Sequence, residues 1–520
     1  MKGLVEGLRA TGPAISNILA SSGTAGAAVG VLHHGEVVHM AGYGFKDVGH
    51  QLPMDQNSID SLFSLTKFMT AAALGFLLDA NGASWDSTLV SLVPSFRHHN
   101  ATVQQETTLR DLLSHRVGLA QYSALFMQDF GRLYLDKSEI LTTASALPLT
   151  AGFRENRSPT SLGEYLMKHF FEPLGMTRTS VIRGPGGGDA SEGYMALADS
   201  TPARTERPFV GDDQIMFGAM GVNSCVKDLL AFYSEALRAG ADQLARGATS
   251  TEGSPFRHVP TLWSSQVPLP ESSLLERSYA LGLFRLQLPQ PMTSSTMNSG
   301  RLPNPPVVAR GSPPQLALYH GGNSAASQNW AILLPETQSA IVVLTNTMAN
   351  CDAANLIGSM LLETLLDSPQ KNDYEELSRI ASNAGIEQWR TLHASLEKKR
   401  IIGTHPKPLA SYTGKYWNHV GNFYFEVFLD ECGSVAFAFQ GDRTTSHSLR
   451  HYNNDVFAWT LTQDENVATG RFPYTSEGPW LLKFEAKGET IEGLRWNQNG
   501  IRDGEYFHKG EYCNSFSTAN

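Results

Sequence analysis

Ser64-Leu65-Thr66-Lys67, running on into Phe68-Met69-Thr70-Ala71-Ala72-Ala73-Leu74-Gly75-Phe76-Leu77-Leu78, is the stretch on which the reading of this chain turns. Ala and Leu dominate it and Asn81-Gly82 supplies a stop, so a buried helix is expected over residues 64–80. A Ser-x-x-Lys tetrad at the opening of a helix puts both side chains on one face, a turn apart. The hydroxyl then sits near the positive end of the helix dipole, and the Ser64 N–H has no partner within the first turn. A lysine desolvated beside it loses its charge and takes the hydroxyl proton. One turn of chain thus offers a nucleophile, a base and half an oxyanion hole. The same four residues also suit a capped helix with a solvated lysine, because a pattern with two fixed positions is weak by itself.

The second signal is Tyr319-His320-Gly321-Gly322-Asn323, placed before two apolar runs at 329–334 and 339–346 that read as a hairpin. Small residues after a basic one at a strand let a substrate lie along exposed backbone, and leave the N–H of Asn323 to complete an oxyanion hole. The plain alternative is a turn with a solvated histidine.

Taken together, these segments resemble the serine β-lactamase-related family: class C β-lactamases, D-Ala-D-Ala carboxypeptidases, esterases and acyltransferases. Ser64–Lys67 matches its first motif. His320-Gly321-Gly322 matches its third in the His-x-Gly form of the esterase-like branch, where penicillin-recognising members carry Lys-Thr-Gly. Four further segments agree in order: Gly42-Tyr43-Gly44, Leu109 to His115 with Gly118-Leu119, Phe171 to Met176, and Gly218 to Val222. The resemblance covers residues 15–365 and is of a fungal type. It implies an α/β (α+β) fold, an antiparallel sheet flanked by helices, and acyl transfer through a Ser64 acyl-enzyme. Lys67 would be the base, the N–H groups of Ser64 and Asn323 the oxyanion hole, and His320 and Gly322 would face the substrate.

The chain departs from the family at its second motif, Tyr-x-Asn, whose tyrosine shares the base work. Tyr-x-Asn occurs here only at Tyr416, Tyr452 and Tyr512, all after His320. Gly152-Phe153-Arg154 runs through Glu155-Asn156-Arg157-Ser158-Pro159-Thr160 straight into Ser161, a helix shorter than the pattern requires. Tyr122 and Tyr233 are the other tyrosines considered as substitutes. An enzyme is the leading reading, a serine hydrolase or acyltransferase of small-molecule esters, thioesters or amides with a place in secondary metabolism. The alternative is a catalytically impaired binding paralogue. Neither needs a metal or organic cofactor.

The rest of the chain fits around this core. Forty Lys+Arg against fifty Asp+Glu give a net charge of −10 over 520 residues, which argues against a nucleic-acid partner. Four scattered cysteines without a CxxC pair exclude a disulfide scaffold. Glu6 and Arg9 interrupt the N-terminal apolar pattern, and Phe68–Leu78 is short for a bilayer, so a cytoplasmic protein without membrane contact is expected. His33, His34 and Glu36 lie on the turn of a hairpin over 27–44 and read as exposed polar residues rather than metal ligands. Helices are expected at 108–114, 161–171 and 226–239, and the seven prolines of 289–314 mark a mobile loop. Residues 1–365 form the expected hydrolase domain. Residues 366–405 form a helical connector with Leu377, Ile380, Ala384, Leu392 and Leu396 on one face. Beyond 405, 21 aromatic residues alternate along short strands, and a lipocalin-like antiparallel β-barrel is expected over 406–520, with Trp417, Trp459 and Trp496 filling its interior.

Overall fold

The structure, a computed structural model, describes residues 2–120, 128–147, 149–154, 162–181, 188–208, 210–498 and 503–511. Nine antiparallel strands build the first sheet: β1 (Gly26–His33), β2 (Glu36–Asp47), β3 (Leu52–Pro53), β4 (Val267–Pro268), β5 (Arg277–Tyr279), β6 (Phe284–Leu288), β7 (Gln315–Ser324), β8 (Ser327–Leu334) and β9 (Ser339–Thr345). Their order is β4-β5-β6-β7-β8-β9-β1-β2-β3, so the first hairpin closes against the last strand. His34 and Gly35 both take positive φ (53° and 77°), the geometry a two-residue hairpin turn demands.

Alternation splits the side chains between two layers. Val29, Val31, Ile332, Ile341 and Val343 face helices α1 (Gly12–Ser22) and α5 (Ala353–Leu365), meeting Ile15, Ile18, Ile357 and Leu361. Ala28, Leu318, Ala331, Leu333, Val342 and Leu344 face α2 (Thr66–Asn81) and α4 (Val226–Arg246), meeting Phe68, Leu229 and Phe232. At Gly30 a Cβ would stand 2.4 Å from a Val226 methyl, so this glycine lets α4 lie flat on the sheet. The short helix α3 (Leu109–Leu113) opens on a capping box formed by Thr108 and Asp111.

Three expectations need correction. Phe63–Asn81 has 19 residues and is long and apolar enough to cross a bilayer, but it is packed into the core of this lobe. Helix α4 continues seven residues past Ala239 to Arg246 because Gly240 is a packing site and not a stop: a Cβ there would lie 2.2 Å from the Trp263 ring. The Pro-rich stretch is not loose. It buries Leu302, Val308 and Ala309, Arg301 donates to Asn350 O at 2.8 Å, and Asn298 donates to Asp352 O at 2.8 Å.

Helix α6 (Tyr374–Lys399) buries Tyr374 and Ala381 against the first lobe, and Trp389, Leu392 and Leu396 against the second. Its inner face is set by Tyr374, Ser378, Ala381, Gly385 and Trp389. Ile380, expected inside, is 39% exposed.

The second lobe is a nine-stranded antiparallel sheet: β10 (Gly414–Trp417), β11 (Tyr424–Leu429), β12 (Val435–Phe439), β13 (His447–Ser448), β14 (Arg450–Asn453), β15 (Val456–Ala458), β16 (Leu481–Lys487), β17 (Thr490–Trp496) and β18 (Glu505–Lys509). The order β13-β12-β11-β10-β18-β17-β16-β15-β14 puts β13 and β14 at the two edges, and only Leu449 separates them in the chain. The edges are therefore drawn together into a nearly closed barrel. Phe425, Phe437, Phe439, Phe507, Trp459 and Trp496 fill it, and both indoles donate to Pro479 O.

Candidate active site

Ser64 sits on a single 3₁₀ turn, Phe63–Leu65, that runs straight into α2. Phe63 is held at φ 47°, a strained value for a bulky residue, and the turn is fixed from both sides. Leu62 N–H donates to Val222 O at 2.9 Å, Asn329 Nδ2 to Ser61 O at 2.8 Å, and Ser61 Oγ to Asn223 Oδ1 at 2.7 Å. Lys67, one turn on, brings Nζ to 2.5 Å from Ser64 Oγ, with both side chains half-buried. As the opening residues of the turn, Phe63 and Ser64 have N–H groups without a partner inside it.

Strand β7 passes in front of this turn at close range. A Cβ on Gly322 would fall 2.2 Å from Leu62 O and 3.5 Å from Ser64 N, so only glycine allows the approach. Gly282, at φ 83°, backs onto Lys67 O in the same way, at 2.8 Å. The two-residue turn between Ser324 and Ser327 fixes the phase of the β7–β8 ladder: Ser324, Gly322 and His320 bond toward β8, and Asn323 and Gly321 direct their backbone groups to the opposite edge. There Gly321 O accepts from Ser295 Oγ at 3.0 Å.

His320 is 5% exposed. Its Nδ1 lies 2.6 Å from Gly321 O and 3.2 Å from Ser295 Oγ, and its Nε2 lies 3.4 Å from the Tyr279 hydroxyl. Burial, and then the nearby charge of Lys67, draw the His320 pKa down to about 3. Burial also raises the Tyr279 phenol well above its ordinary value. His115, from the loop after α3, sets its ring 5.1 Å from that of Tyr279, tilted by 51°.

Ser64, Lys67, His320, Gly322 and Asn323 thus lie together where the end of β7 meets the Ser64 turn. Ser295, Tyr279 and His115 join them from segments that carried no site reading. Ser295 lies in the Pro-rich stretch, and His115 closes the Leu109–His115 segment. Of the tyrosines considered as substitutes, Tyr233, Tyr416 and Tyr452 do not arrive. Tyr233 is buried in the α4 core against Phe68. Tyr416 and Tyr452 lie in the barrel and donate to Tyr412 O and Leu396 O, each at 2.6 Å. Tyr122, Tyr512 and the 155–161 segment lie outside the described residues. Among the described residues, no three His, Cys, Asp or Glu side chains are grouped to hold a metal.

The family model described as beta-lactamase matches residues 13–362. The chain belongs to the beta-lactamase family. A second model, a domain of unknown function called DUF3471, matches residues 398–507. An unguisins hydrolase of Aspergillus campestris is 22% identical over 448 residues, covering 78% of this chain and 75% of that protein. One from Aspergillus violaceofuscus is 22% identical over 468 residues, covering 81% and 77%. The octameric penicillin-binding protein homologue from Pyrococcus abyssi superposes with a TM-score of 0.54 at 18% identity, covering 97% of this chain and 99% of that one. That likeness is one of fold, and it extends through both lobes. Family and hydrolase-named relatives together support a serine-hydrolase-like enzyme.

Proposed function

We propose that this beta-lactamase family member is a serine hydrolase that forms an acyl-enzyme on Ser64, with a small-molecule ester, thioester or amide as acyl donor. The observation that carries the reading is the 2.5 Å contact between Lys67 Nζ and Ser64 Oγ on a strained turn. Neutral Lys67 takes the hydroxyl proton as Oγ attacks the carbonyl carbon, and the Ser64 and Asn323 N–H groups receive the negative oxygen. The lysine returns the proton to the leaving group, and water then releases the acyl chain by the reverse sequence. An alcohol or amine in place of water would make the product a transfer product. A place in secondary metabolism, which rests on the resemblance to fungal members, and a cytoplasmic location, which rests on the interrupted N-terminal apolar pattern, belong to the same proposal.

A second reading, a catalytically impaired binding paralogue, is favoured by one observation: no tyrosine of a Tyr-x-Asn motif reaches Ser64 among the described residues. A fluorophosphonate probe separates the two. Intact-mass detection of one adduct, mapped to Ser64 and lost in Ser64→Ala, is expected for the enzyme. An unlabelled Ser64 in folded protein would favour the binding paralogue.

A further inference from the structure

We infer that the free end of β7 is a hydrogen-bond-accepting subsite, in which the bare Nε2 of His320 receives an N–H or O–H donor of a neutral substrate and carboxylate-bearing substrates are turned away. The inference rests on the serine-hydrolase reading above and deepens it.

The tautomer of His320 follows from its neighbours. Gly321 O can only accept, and it lies 2.6 Å from Nδ1, so Nδ1 carries the proton. Ser295 agrees with this: its one hydroxyl proton goes to Gly321 O at 3.0 Å, so Oγ is left to accept from Nδ1–H at 3.2 Å. Nε2 therefore presents a lone pair. The Tyr279 hydroxyl stands 3.4 Å from it, long for an O–H donor, and leaves the lone pair room for a better one. Three residues along, Asn323 Nδ2 donates to Ser295 O at 3.1 Å, which fixes the amide's orientation. Its Oδ1 is then a buried acceptor with no donor among the described residues. A buried acceptor left without a donor is a cost that a substrate donor would relieve.

The groups that face His320 are Lys67 of α2, His115 after α3, Tyr279 of β5, Phe284 of β6 and Ser295. Among the described residues Lys67 is the one amine of this group, and its Nζ is engaged with Ser64 Oγ. An uncharged imidazole with its lone pair on Nε2 repels a carboxylate and attracts an amide N–H.

Three esters test this on the full chain: phenyl N-benzoylglycinate, its N-methylated analogue without the N–H, and its 3-carboxyphenyl analogue with a carboxylate added. The expected result is a kcat/KM at least tenfold lower for each analogue than for the parent, and a gain of tenfold or more on the carboxyphenyl ester in His320→Lys. Three esters within twofold of each other in the wild type, or a preference for the carboxylate, would overturn the inference without any variant having to fold. A second arm is independent of turnover. In ¹⁵N-histidine-labelled protein, the His320 resonances, assigned through His320→Gln, are expected to show protonated Nδ1 and bare Nε2 from pH 5 to 8. A protonated Nε2 overturns the inference. If Ser64 takes no probe and no ester turns over, the hydrolase reading fails, and the tautomer still decides the subsite.

Discussion

Two buried histidines face opposite surroundings. His320, beside Ser64, has Lys67 for its charged neighbour, no carboxylate among the groups facing it, and a loosely engaged Nε2. His447, at the mouth of the barrel, meets the Asp129 carboxylate at 2.6 Å, and the other oxygen of that carboxylate takes Arg471 Nη1 at 2.9 Å. Gln128 also accepts from Arg471, whose guanidinium lies 4.8 Å from the Trp459 ring. Asp129 and Arg471 are each only 1% exposed. The difference teaches how to tell a lock from a binding site. Buried charges that bond one another hold two pieces of chain together, even though Arg471 Nε has no acceptor among the described residues. Buried acceptors left open wait for a ligand. In the barrel mouth the piece held is the Gln128–Arg132 segment of the first lobe, and Phe130 N–H caps the contact on Thr469 O at 2.9 Å.

The largest expected effect lies on the open side. Replacing Lys67 by Arg keeps the charge and removes the base, so labelling of Ser64 by a fluorophosphonate should slow by about 10²–10⁴. Near-normal labelling would make Lys67 a fixed positive charge. On the closed side, Asp129→Ala leaves Arg471 buried without its carboxylate and should cost about 3–5 kcal/mol in urea unfolding. Asp129→Asn with Arg471→Met should recover part of that loss. Equal stability of wild type and Asp129→Ala would mean that the cluster is no lock.

The two sides also respond differently to acid. Because the folded pKa of His320 lies near 3 and its ordinary value is 6.5, unfolded chain binds a proton there that folded chain does not, and stability falls as pH drops from about 6.5 to 3. One proton corresponds to about 1.4 kcal/mol per pH unit, and His320→Gln should flatten the stability profile by that slope in this window. Asp129 also loses its contribution on acidification, but in a lower window. Burial pushes its pKa up, but the His447 hydrogen bond and the Arg471 charge outweigh burial and hold it below the usual carboxylate value. Its contribution is therefore present above about pH 4 and fades as pH falls further. A His320→Gln profile parallel to wild type would contradict the neutral, buried imidazole. The smallest effect belongs to Tyr452→Phe, which removes one hydrogen bond to Leu396 O and should cost about 1 kcal/mol while Ser64 labels at the wild-type rate.

Local signals carried the sequence reading where neighbours in the chain make the structure. Ser64–Lys67 is one helical turn, His320–Asn323 is one strand end, and the aromatic alternation of the barrel is a property of each strand. What was not legible depends on partners far along the chain. Ser295 meets Gly321 across 26 residues and Asp129 meets Arg471 across 342, and neither pair has a spacing that marks it. Ile380 was assigned to the inner face of α6 because it is apolar, whereas Ser378, Ala381 and Gly385 are buried there because the helix lies close to its neighbours and small residues fit. Tyr279 bore no motif and is placed at His320 by the pairing of β5, β6 and β7.

The central claim is covalent chemistry at Ser64, and its most direct measurement is capture of the acyl-enzyme. The full-length protein is mixed with a 4-nitrophenyl ester, quenched in acid within milliseconds to seconds, and read by intact mass and peptide mapping. We predict one acyl adduct, confined to the peptide containing Ser64, that decays on the timescale of turnover and is absent from Ser64→Ala. Turnover with no adduct on Ser64, or an adduct that persists at another residue in Ser64→Ala, would contradict the account.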